Sequence, residues 1–319
     1  MTTTVRTSSL LAISDLTVRF RLPDATVHAV TDIDIAVAPG ELLAVVGESG
    51  CGKSVLAHAL LGLLPANATV TGKAVLRGGD KPVDLLAADE KTLARTVRGR
   101  RIGLVPQSPA TALTPVRTGR HLLEETLRAH GQARKHAEAV AAGVGLTPAD
   151  LDLYPHELSG GMAQRLATAL ALAPDPPLLL ADEPTSGLDR PLMDGTLDLL
   201  RARCDQGSAV ILITHDLAAA ERVADTVAVM YASRIVEHRP ATEFFAGPRH
   251  PYAHALLDAL PDRAFTPIPG HPPMLTALPA GCAFAPRCTR ARQDCGSQPG
   301  PEPDQRGQLA CHHPIGDRR

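Results

Sequence analysis

Residues 47–54, with the sequence GESGCGKS, constrain this chain more than any other segment. They follow the apolar run 42–46 and precede a stretch with a helical pattern, so the order is strand, glycine-rich loop and helix. Glycines in such a loop let backbone N–H groups converge on phosphate oxygens at a helix N-terminus, whose dipole favours anions. Lys53 can reach the β- and γ-phosphates, and the Ser54 hydroxyl can ligate Mg²⁺. The segment predicts a nucleotide site formed by Gly47, Glu48, Ser49, Gly50, Cys51, Gly52, Lys53 and Ser54.

The composition argues against several other functions. With 319 residues, of which 44% are hydrophobic, the chain can form one large domain with an appendage. A formal net charge of -2 and an aromatic content of 3% give neither a positive field nor many stacking platforms for nucleic acid, so we predict no nucleic-acid partner. No apolar run approaches the ~20 residues that cross a bilayer, and the first nine residues lack the pattern of a signal peptide. We therefore expect neither a transmembrane segment nor a signal peptide.

The hydrophobic pattern alternates between strands and helices along most of the chain. Alternating or continuous apolar runs predict strands at 11–20, 32–37, 41–46, 101–105, 178–181, 209–214, 226–231 and 234–237. The last two runs are predicted to form a hairpin, and helices are predicted within 118–144 and over 160–173. Strands that alternate with helices favour an α/β fold with a buried parallel sheet and an inserted helical segment.

Two carboxylates end the predicted strand at 178–181. Asp182 would lie near the Mg²⁺, and Glu183 would face an attacking water as a general base, if that strand ends beside the phosphate loop. Gln107 follows another strand and could contact Mg²⁺ and the water, and His215 follows the strand at 209–214 and could contact the γ-phosphate. Taken alone, each of these residues is more often a helix cap or a surface side chain. Their combination with the phosphate loop makes them candidates for the catalytic set.

Ser159, Gly160 and Gly161 precede the helix predicted at 160–173. Ser159 can simply cap that helix, or the exposed helix N-terminus can bind a phosphate. The phosphate loop, Gln107, this serine–glycine motif, the acidic pair, the SGLD segment at 186–189 and His215 occur in the order seen in ATP-binding-cassette (ABC) ATPases. Over residues 10–240 the chain resembles that family.

The resemblance implies a specific division of roles. In this family two nucleotide-binding domains dimerise head to tail, with ATP between them. One ATP would be bound by residues 47–54, with Mg²⁺ held by Ser54, Gln107 and Asp182 and hydrolysis assisted by Glu183, His215 and Gln107. The signature motif, Ser159, Gly160 and Gly161, would complete the site of the partner, and Asp189 would lie at the dimer interface. The expected fold is a RecA-like core with an antiparallel β subdomain, an inserted α-helical subdomain at about 108–158 and a small C-terminal extension.

The residue that would stack on adenine is less well defined by the sequence. Phe20 is the only aromatic residue before the phosphate loop, and we name it as the candidate. By the spacing of the family Leu22 lies nearer the stacking position, and His28 is a third candidate.

Several segments resemble one branch of the family, the dipeptide, oligopeptide and nickel importer ATPases. These are residues 107–115 (QSPATALTP), 154–162 with its Met162, 250–257 (HPYAHALL) and 278–288 (LPAGCAFAPRC). We divide the chain into an ABC nucleotide-binding domain at 8–247 and a C-terminal extension of the oligopeptide/dipeptide-transporter type at 248–319.

Four of the six cysteines, Cys282, Cys288, Cys295 and Cys311, lie in this extension. They are separated by five, six and fifteen residues, a spacing that matches neither a zinc ribbon nor a ferredoxin run. The resemblance implies a [4Fe–4S] cluster on these cysteines. Zinc and free thiols are the alternatives, and His312 or His313 could replace a cysteine as a ligand. Cys51 and Cys204 are interpreted as small packing residues.

The resulting function is the ATP-hydrolysing subunit of an ABC importer for dipeptides or oligopeptides. The same role in nickel or metal-chelate import is an alternative, and an ABC exporter or a DNA-repair ABC ATPase is a remote one. The resemblance implies as partners a second, similar ATPase subunit, two transmembrane permease subunits and an extracytoplasmic substrate-binding protein. It also places the chain peripherally at the cytoplasmic face of the cell membrane.

Overall fold

A computed structural model describes residues 9–304 and 307–316. Its strands are β1 (Leu11–Arg21), β2 (Thr26–Val37), β3 (Leu42–Val46), β4 (Ala68–Leu76), β5 (Val83–Asp84), β6 (Ile102–Val105), β7 (Leu178–Asp182), β8 (Ala209–Thr214), β9 (Thr226–Tyr231), β10 (Arg234–Pro240), β11 (Glu302–Asp304) and β12 (Gly307–Leu309).

The α-helices lie mainly between these strands. They are α1 (Lys53–Leu60), α2 (Glu90–Thr92), α3 (Pro109–Ala112), α4 (Gly119–Ala129), α5 (Ala137–Gly143), α6 (Pro148–Leu151), α7 (Gly160–Leu172), α8 (Arg190–Asp205), α9 (Leu217–Val223), α10 (Ala241–Ala246) and α11 (Pro251–Asp258). A π-helical turn at Leu93–Val97 continues α2, and short 3₁₀ turns lie at Arg134–His136, Pro155–Glu157, Ala285–Arg287 and Gln293–Gly296.

The larger sheet has eight strands in the order β11-β12-β10-β9-β3-β8-β7-β6. β9, β3, β8, β7 and β6 run parallel, and β10, β12 and β11 continue the sheet by antiparallel pairing. Every residue of β3, β7 and β8 is buried, as expected for parallel strands that helices cover on both faces. The carboxyl ends of β3 and β7 therefore lie near one another, each followed by a polar loop.

A second sheet of four antiparallel strands has the order β2-β1-β4-β5. Its buried side chains, among them Leu16, Val18 and Ile33, join Leu43, Val45, Leu56 and Leu60 in one hydrophobic cluster. The smaller sheet thus packs against β3 and α1 and places its β1–β2 end next to the phosphate loop. This arrangement agrees with the antiparallel subdomain and the α/β core that the sequence predicts.

The segment between β6 and β7 is helical and has a core of its own. Leu123 and Leu127 of α4, Leu151 of α6 and Leu166 of α7 are all buried in it. This insertion is the helical segment expected from the sequence. Among the described residues the longest helix, Arg190–Asp205, has 16 residues, and none combines the length and apolar character that a membrane crossing requires.

The C-terminal extension packs against the larger sheet rather than standing apart from it. Tyr252, Leu257 and Phe284 share a hydrophobic cluster with Val229 and Tyr231 of β9. β12 pairs with β10 through Glu237–Leu309 and His238–Gln308. The extension is thereby in contact with the strand that lies beside β3 and the phosphate loop.

Candidate functional site

The phosphate loop joins the buried strand β3 to the N-terminus of α1. Gly47 has a φ of 153°, and Gly52, the cap of α1, has a φ of 108°. A Cβ at Gly47 would lie 2.1 Å from the carbonyl oxygen of Met230, and a Cβ at Gly52 would lie 2.0 Å from that of Ala29. Only glycine therefore fits at either position, because both the conformation and the space exclude a side chain.

The ammonium group of Lys53 lies inside this loop. Its Nζ donates to the carbonyl oxygen of Gly47 at 2.7 Å and to that of Glu48 at 3.1 Å. The residue is only 6% exposed, so its charge is directed at the loop rather than at solvent. A lysine ammonium held inside a glycine-rich loop at a helix N-terminus is suited to contact a bound phosphate.

Ser54 and Asp182 are brought together from the two strand ends. The hydroxyl of Ser54 donates to Oδ1 of Asp182 at 3.0 Å, and Asp182 is 3% exposed. Burial raises the pKa of the Asp182 carboxyl, whereas the hydrogen bond from Ser54 lowers it. Hydroxyl and carboxylate oxygens are the donors that Mg²⁺ prefers, so this pair fits that ion.

Glu183 follows Asp182 and is paired with His215. Glu183 has a left-handed backbone with a φ of 47°, and its N–H donates to the carbonyl oxygen of Ile213 at 2.9 Å. Its Oε2 lies 2.7 Å from Nδ1 of His215, whose side chain is 61% exposed. Sequence reasoning assigned His215 to the γ-phosphate and did not foresee this contact. The strained backbone turns the carboxylate of Glu183 toward the end of β8, where His215 follows.

A cleft of about 310 Å³ lies over the loop. It is lined by Phe20, Val27, Ala29, Ser49, Gly50, Gly52, Lys53, Ser54, Val55, Gln107, Glu183 and Leu275. Polar groups of the phosphate loop, Gln107 and Glu183 thus face the same space as a group of apolar side chains. We call this space the nucleotide cleft.

One side of the nucleotide cleft is formed by β1, β2 and the C-terminal extension. Phe20 lines it, whereas Leu22 and His28 are not among its lining residues. The N–H of His28 donates to the carbonyl oxygen of Leu275 at 2.8 Å, which brings the Leu275 side chain to the cleft. Sequence reasoning missed Leu275, because nothing in the pattern around it indicates that the chain returns there from more than 200 residues away.

The serine–glycine motif lies at the start of α7, outside the lining of the nucleotide cleft. Oγ of Ser159 accepts from the N–H of Met162 at 3.2 Å, the ordinary bond of a helix cap. Ser159 and Gly160 are exposed, and a Cβ at Gly160 would meet nothing within 4 Å. Asp189 caps α8 by accepting from the N–H of Leu192 at 3.1 Å. The structure of a single chain therefore separates these residues from its own phosphate loop.

The four cysteines of the extension influence one another electrostatically, and two of them are joined by a backbone hydrogen bond. The N–H of Cys282 donates to the carbonyl oxygen of Cys295 at 2.9 Å, and negative charge on Cys282, Cys288 and Cys295 would raise the pKa of Cys311. Burial is the larger cause of that shift and brings the pKa of Cys311 to about 12. Sγ of Cys288 accepts from the N–H of Arg290 at 3.4 Å, and Sγ of Cys295 accepts from that of Arg292 at 3.5 Å. We refer to the segment from Cys282 to Cys311 as the cysteine module.

Another group of candidate ligands overlaps this module. Ligand atoms of Asp294, Cys295 and His313 all lie within 4.8 Å of one another. Nε2 of His313 is 2.6 Å from Oδ1 of Asp294, and this hydrogen bond lowers the pKa of the Asp294 carboxyl. The other two cysteines, Cys51 and Cys204, are buried.

Two family models match the sequence. The model described as ABC transporter matches residues 30–186, and the one described as oligopeptide/dipeptide transporter, C-terminal region, matches residues 236–295. The first match includes the phosphate loop, Gln107, the serine–glycine motif and the acidic pair. The second includes part of the cysteine module.

Curated relatives match nearly the whole chain. The oligopeptide transport ATP-binding protein OppD of Salmonella typhimurium is 39% identical, with 96% of this chain and 94% of that protein covered. OppD of Escherichia coli is 40% identical over the same shares of the two chains. A putative peptide import ATP-binding protein of Brucella ovis is 42% identical, with 90% of this chain and 91% of that protein covered.

Solved structures show the same core. A dimeric structure of a bacterial ABC transporter cassette has a TM-score of 0.65 and 25% identity, with 72% of this chain and 98% of the cassette covered. A cassette of Clostridium perfringens, part of the cbiONQ ABC transporter complex, has a TM-score of 0.61 and 26% identity, with 75% of this chain and 91% of that chain covered. With these likenesses added to the relatives and to the geometry of the site, the chain belongs to the ATP-hydrolysing subunits of ABC transporters, in the group that carries the oligopeptide/dipeptide C-terminal region.

Proposed function

We propose that this chain hydrolyses ATP to drive the import of dipeptides or oligopeptides. The observation that carries the proposal is that Lys53, Ser54 and Glu183 line one cleft. Asp182 is hydrogen-bonded to Ser54 behind it, and His215 is paired with Glu183. The peptide cargo is supported by the C-terminal family match and by relatives named for oligopeptide transport and peptide import. Nickel or metal-chelate import stays the alternative, because the cargo is selected outside the ATPase.

The geometry supports distinct roles for these residues in hydrolysis. Backbone N–H groups of the phosphate loop and the Lys53 ammonium bind the β- and γ-phosphates. Ser54 and Asp182, with Gln107, hold Mg²⁺, which offsets negative charge on the phosphates when it is bound. Glu183 accepts a proton from the water that attacks the γ-phosphorus, the bond to the bridging oxygen breaks, and ADP and phosphate leave. His215 orients the Glu183 carboxylate and stands beside the reacting phosphate.

A complete site requires a second subunit. Ser159 and Gly160 are exposed and lie outside the lining of their own cleft, so they are free to meet the ATP of a partner. We propose a head-to-tail dimer with a similar ATPase subunit, with Asp189 at its interface. The dimer would dock on two permease subunits at the cytoplasmic face of the membrane and work with an extracytoplasmic binding protein. In this proposal residues 8–247 form the ATP-hydrolysing nucleotide-binding domain, and residues 248–319 form its C-terminal extension.

We also propose that Cys282, Cys288, Cys295 and Cys311 hold a [4Fe–4S] cluster. The donor set supports this proposal: the extension contains four cysteines, and the sulfurs of Cys288 and Cys295 accept backbone N–H···S hydrogen bonds. Burial raises the pKa of the thiols of Cys282, Cys288 and Cys311. Their deprotonation is therefore favoured only when a bound metal ion or cluster compensates the negative charge of the thiolates.

Zinc is the alternative metal for these cysteines, and the grouping of Asp294, Cys295 and His313 supports a zinc site that includes His313. A tetrahedral zinc with Zn–S bonds of about 2.3 Å brings its sulfurs to about 3.8 Å from one another. The close group in the described residues is Asp294, Cys295 and His313, which contains a single cysteine. A zinc site would therefore depend on His313, whereas a [4Fe–4S] cluster would depend on Cys282.

Metal analysis of two variants separates these candidates. Purified anaerobically, the chain should contain iron and acid-labile sulfide near four each, and Cys282→Ser should lose both while His313→Ala retains them. One zinc that is lost in His313→Ala and kept in Cys282→Ser would establish the alternative. A chain without either metal would contradict the cofactor proposal.

Uptake by cells that carry the gene tests the function. Deletion should abolish uptake of a labelled tripeptide and leave uptake of ⁶³Ni²⁺ unchanged. The wild-type gene should restore peptide uptake, and Glu183→Gln should not, although that variant protein is produced. Loss of nickel uptake with normal peptide uptake would support the alternative cargo. Normal uptake of both would contradict an importer for either.

A further inference from the structure

The side chain of Glu48, in the phosphate loop, is held by an arginine of the C-terminal extension. Nη1 of Arg287 donates to Oε2 of Glu48 at 2.8 Å, and Nη2 donates to Oε1 at 3.0 Å. The Arg287 side chain is only 5% exposed, and that of Glu48 is 27% exposed. A two-point bond between a buried guanidinium and a carboxylate is among the stronger side-chain interactions, and it fixes direction as well as distance.

Arg287 is itself fixed by groups outside the phosphate loop. Its Nε donates to the carbonyl oxygen of Pro269 at 2.8 Å, and its Nη1 also donates to the hydroxyl of Tyr231 at 3.2 Å. The guanidinium carbon lies 5.8 Å from the ring centroids of both Tyr231 and Phe284. The arginine therefore has one orientation, which the larger sheet and the extension set together.

Further hydrogen bonds connect Glu48 to the extension and to Lys53 of the phosphate loop. The backbone N–H of Glu48 donates to the hydroxyl of Tyr252 at 2.9 Å. Nζ of Lys53 donates to the carbonyl oxygen of Glu48 at 3.1 Å. The side chain and the N–H of Glu48 are thus held by the extension, while its carbonyl holds Lys53. A continuous path of polar contacts runs from Arg287 through Glu48 to Lys53.

The position of Arg287 depends on the cysteine module. Arg287 ends the 3₁₀ turn Ala285–Arg287, directly before Cys288. The N–H of Ala285 donates to the carbonyl oxygen of Cys282 at 3.0 Å, and that of Cys288 donates to Ala285 at 3.2 Å. A change in how Cys282 and Cys288 are held would therefore act directly on the short turn that carries Arg287.

We propose that Arg287 is a positioning residue for the phosphate loop. Through Glu48 it holds the loop in its nucleotide-binding shape, and it thereby makes the ATP affinity of this chain depend on the folded cysteine module. This inference rests on the proposed function, since it takes the loop to bind ATP. Because Arg287 acts on the loop and does not touch the reacting atoms, it should affect binding of ATP more than the hydrolytic step.

Calorimetric titration of the full chain with ATP tests the proposal. Arg287→Gln should raise Kd for ATP about tenfold, and KM should rise with kcat changed less than about twofold. Arg287→Lys keeps the positive charge but cannot donate two parallel hydrogen bonds to the Glu48 carboxylate, so its Kd should lie between those of the wild type and Arg287→Gln. The matched control is Arg263→Gln, an arginine of the same extension whose side chain is 40% exposed and 3.6 Å from Glu221. Its Kd should equal that of the wild type.

A double-mutant cycle distinguishes positioning from general destabilisation. If Arg287 acts through Glu48, Arg287→Gln should have no further effect on Kd in a Glu48→Gln background. Additive effects, or a wild-type Kd for either single variant, would overturn the proposal. If Arg287→Gln fails to fold, as thermal unfolding would show, Glu48→Gln alone decides: a wild-type Kd overturns the proposal and a weaker one supports it. Absence of ATP binding by the wild type would instead overturn the proposed function itself.

Discussion

Nδ1 of His215 lies 2.7 Å from Oε2 of Glu183, a contact that joins the ends of β8 and β7. Both residues reach it from loops that follow buried parallel strands, and Glu183 adopts a left-handed backbone to do so. A carboxylate whose direction is fixed by a neighbouring imidazole is preorganised to accept a proton from a water at a defined position. The pair therefore behaves as one unit.

Removal of the charge of Glu183 tests that unit. Glu183→Gln should lower ATP turnover roughly 10²–10⁴-fold, because the amide cannot accept the proton of the attacking water, while ATP binding is retained. Steady-state hydrolysis and calorimetric ATP binding are the measurements. Glu221→Gln is the control, since Glu221 is a partly exposed surface residue paired with Arg263 at 3.6 Å. Full activity in Glu183→Gln would refute its assignment as the base.

Gly160→Asp tests the trans role of the serine–glycine motif. A Cβ at Gly160 meets nothing within 4 Å, and the residue is exposed, so the subunit should fold normally. The added carboxylate would face the phosphates of the partner and repel them, so ATP-dependent dimerisation should be lost and hydrolysis should fall at least about tenfold. ATP binding to the single subunit should stay within about twofold of the wild type.

Light scattering with and without ATP measures that dimer. Gly143→Asp is the matched control, because a Cβ at that helix end also meets nothing within 4 Å. If Gly160→Asp dimerises and hydrolyses ATP as the wild type does, the motif has no part in the partner site.

Leu275 provides a test of the apolar side of the nucleotide cleft. Leu275→Asn should weaken ATP binding about tenfold, because it removes an apolar surface that would contact the base and adds no charge. Binding of inorganic tripolyphosphate, which has no base, should not change. The adjacent Met274→Asn is the control, since Met274 is 72% exposed and does not line the cleft. Equal losses for ATP and tripolyphosphate would show that Leu275 supports the loop instead.

Because His250 is buried, we expect the stability of the protein to depend on pH. It caps α11 and is 1% exposed, and burial lowers its pKa to about 3 from the ordinary 6.5. The unfolded chain therefore binds a proton at pH values where the folded one does not, so stability falls as the pH drops below about 6.5. Between pH 7.5 and 5.5 this residue alone should lower the free energy of unfolding by about 1.4 kcal/mol.

The His250→Asn variant isolates that contribution. Asparagine can accept the N–H of Tyr252 as a helix cap and does not titrate. Urea unfolding at the two pH values should show a loss about 1.4 kcal/mol smaller in the variant than in the wild type. An identical loss of unfolding free energy in the two proteins would mean that His250 takes up its proton in the folded state as readily as in the unfolded state.

Cys51 lies in the phosphate loop and is nevertheless expected to resist alkylation. It is 6% exposed, and burial raises the pKa of its thiol, so little reactive thiolate is present near neutral pH. Iodoacetamide followed by mass spectrometry should label it only after unfolding, as it should Cys204, which is 2% exposed. Rapid labelling of Cys51 in the native chain would contradict the burial of this part of the loop.

The strands of the core were predictable because their apolar runs are continuous. β8 spans the predicted residues, and β3, β6 and β7 differ from the prediction by one residue at one end. β2 begins at Thr26, six residues before the predicted start, because its first half pairs with β1 through contacts such as Arg21–Thr26. Pairing with a neighbour, rather than the alternation of β2 itself, determines where that strand begins.

The phosphate loop and the carboxylates could be found from sequence because each follows a recognisable strand. The contributions of Tyr252, Leu275 and Arg287 could not, since they arise from the return of a proline-rich tail to the loop. Contacts between residues more than 200 positions apart leave no periodic signal in either segment. For the same reason β11 and β12 could not be predicted, since each is only three residues long and has no alternating pattern.

The pairing of β12 with β10 has a consequence for the solution behaviour of shortened chains. Without β12, the N–H and C=O groups of β10 that now pair at Glu237 and His238 would face solvent as a free sheet edge. Free edges of that kind recruit strands from other molecules. The paired strands β11 and β12 thus cover this part of β10, and a chain cut before residue 302 is expected to aggregate more readily even if its ATP site remained intact.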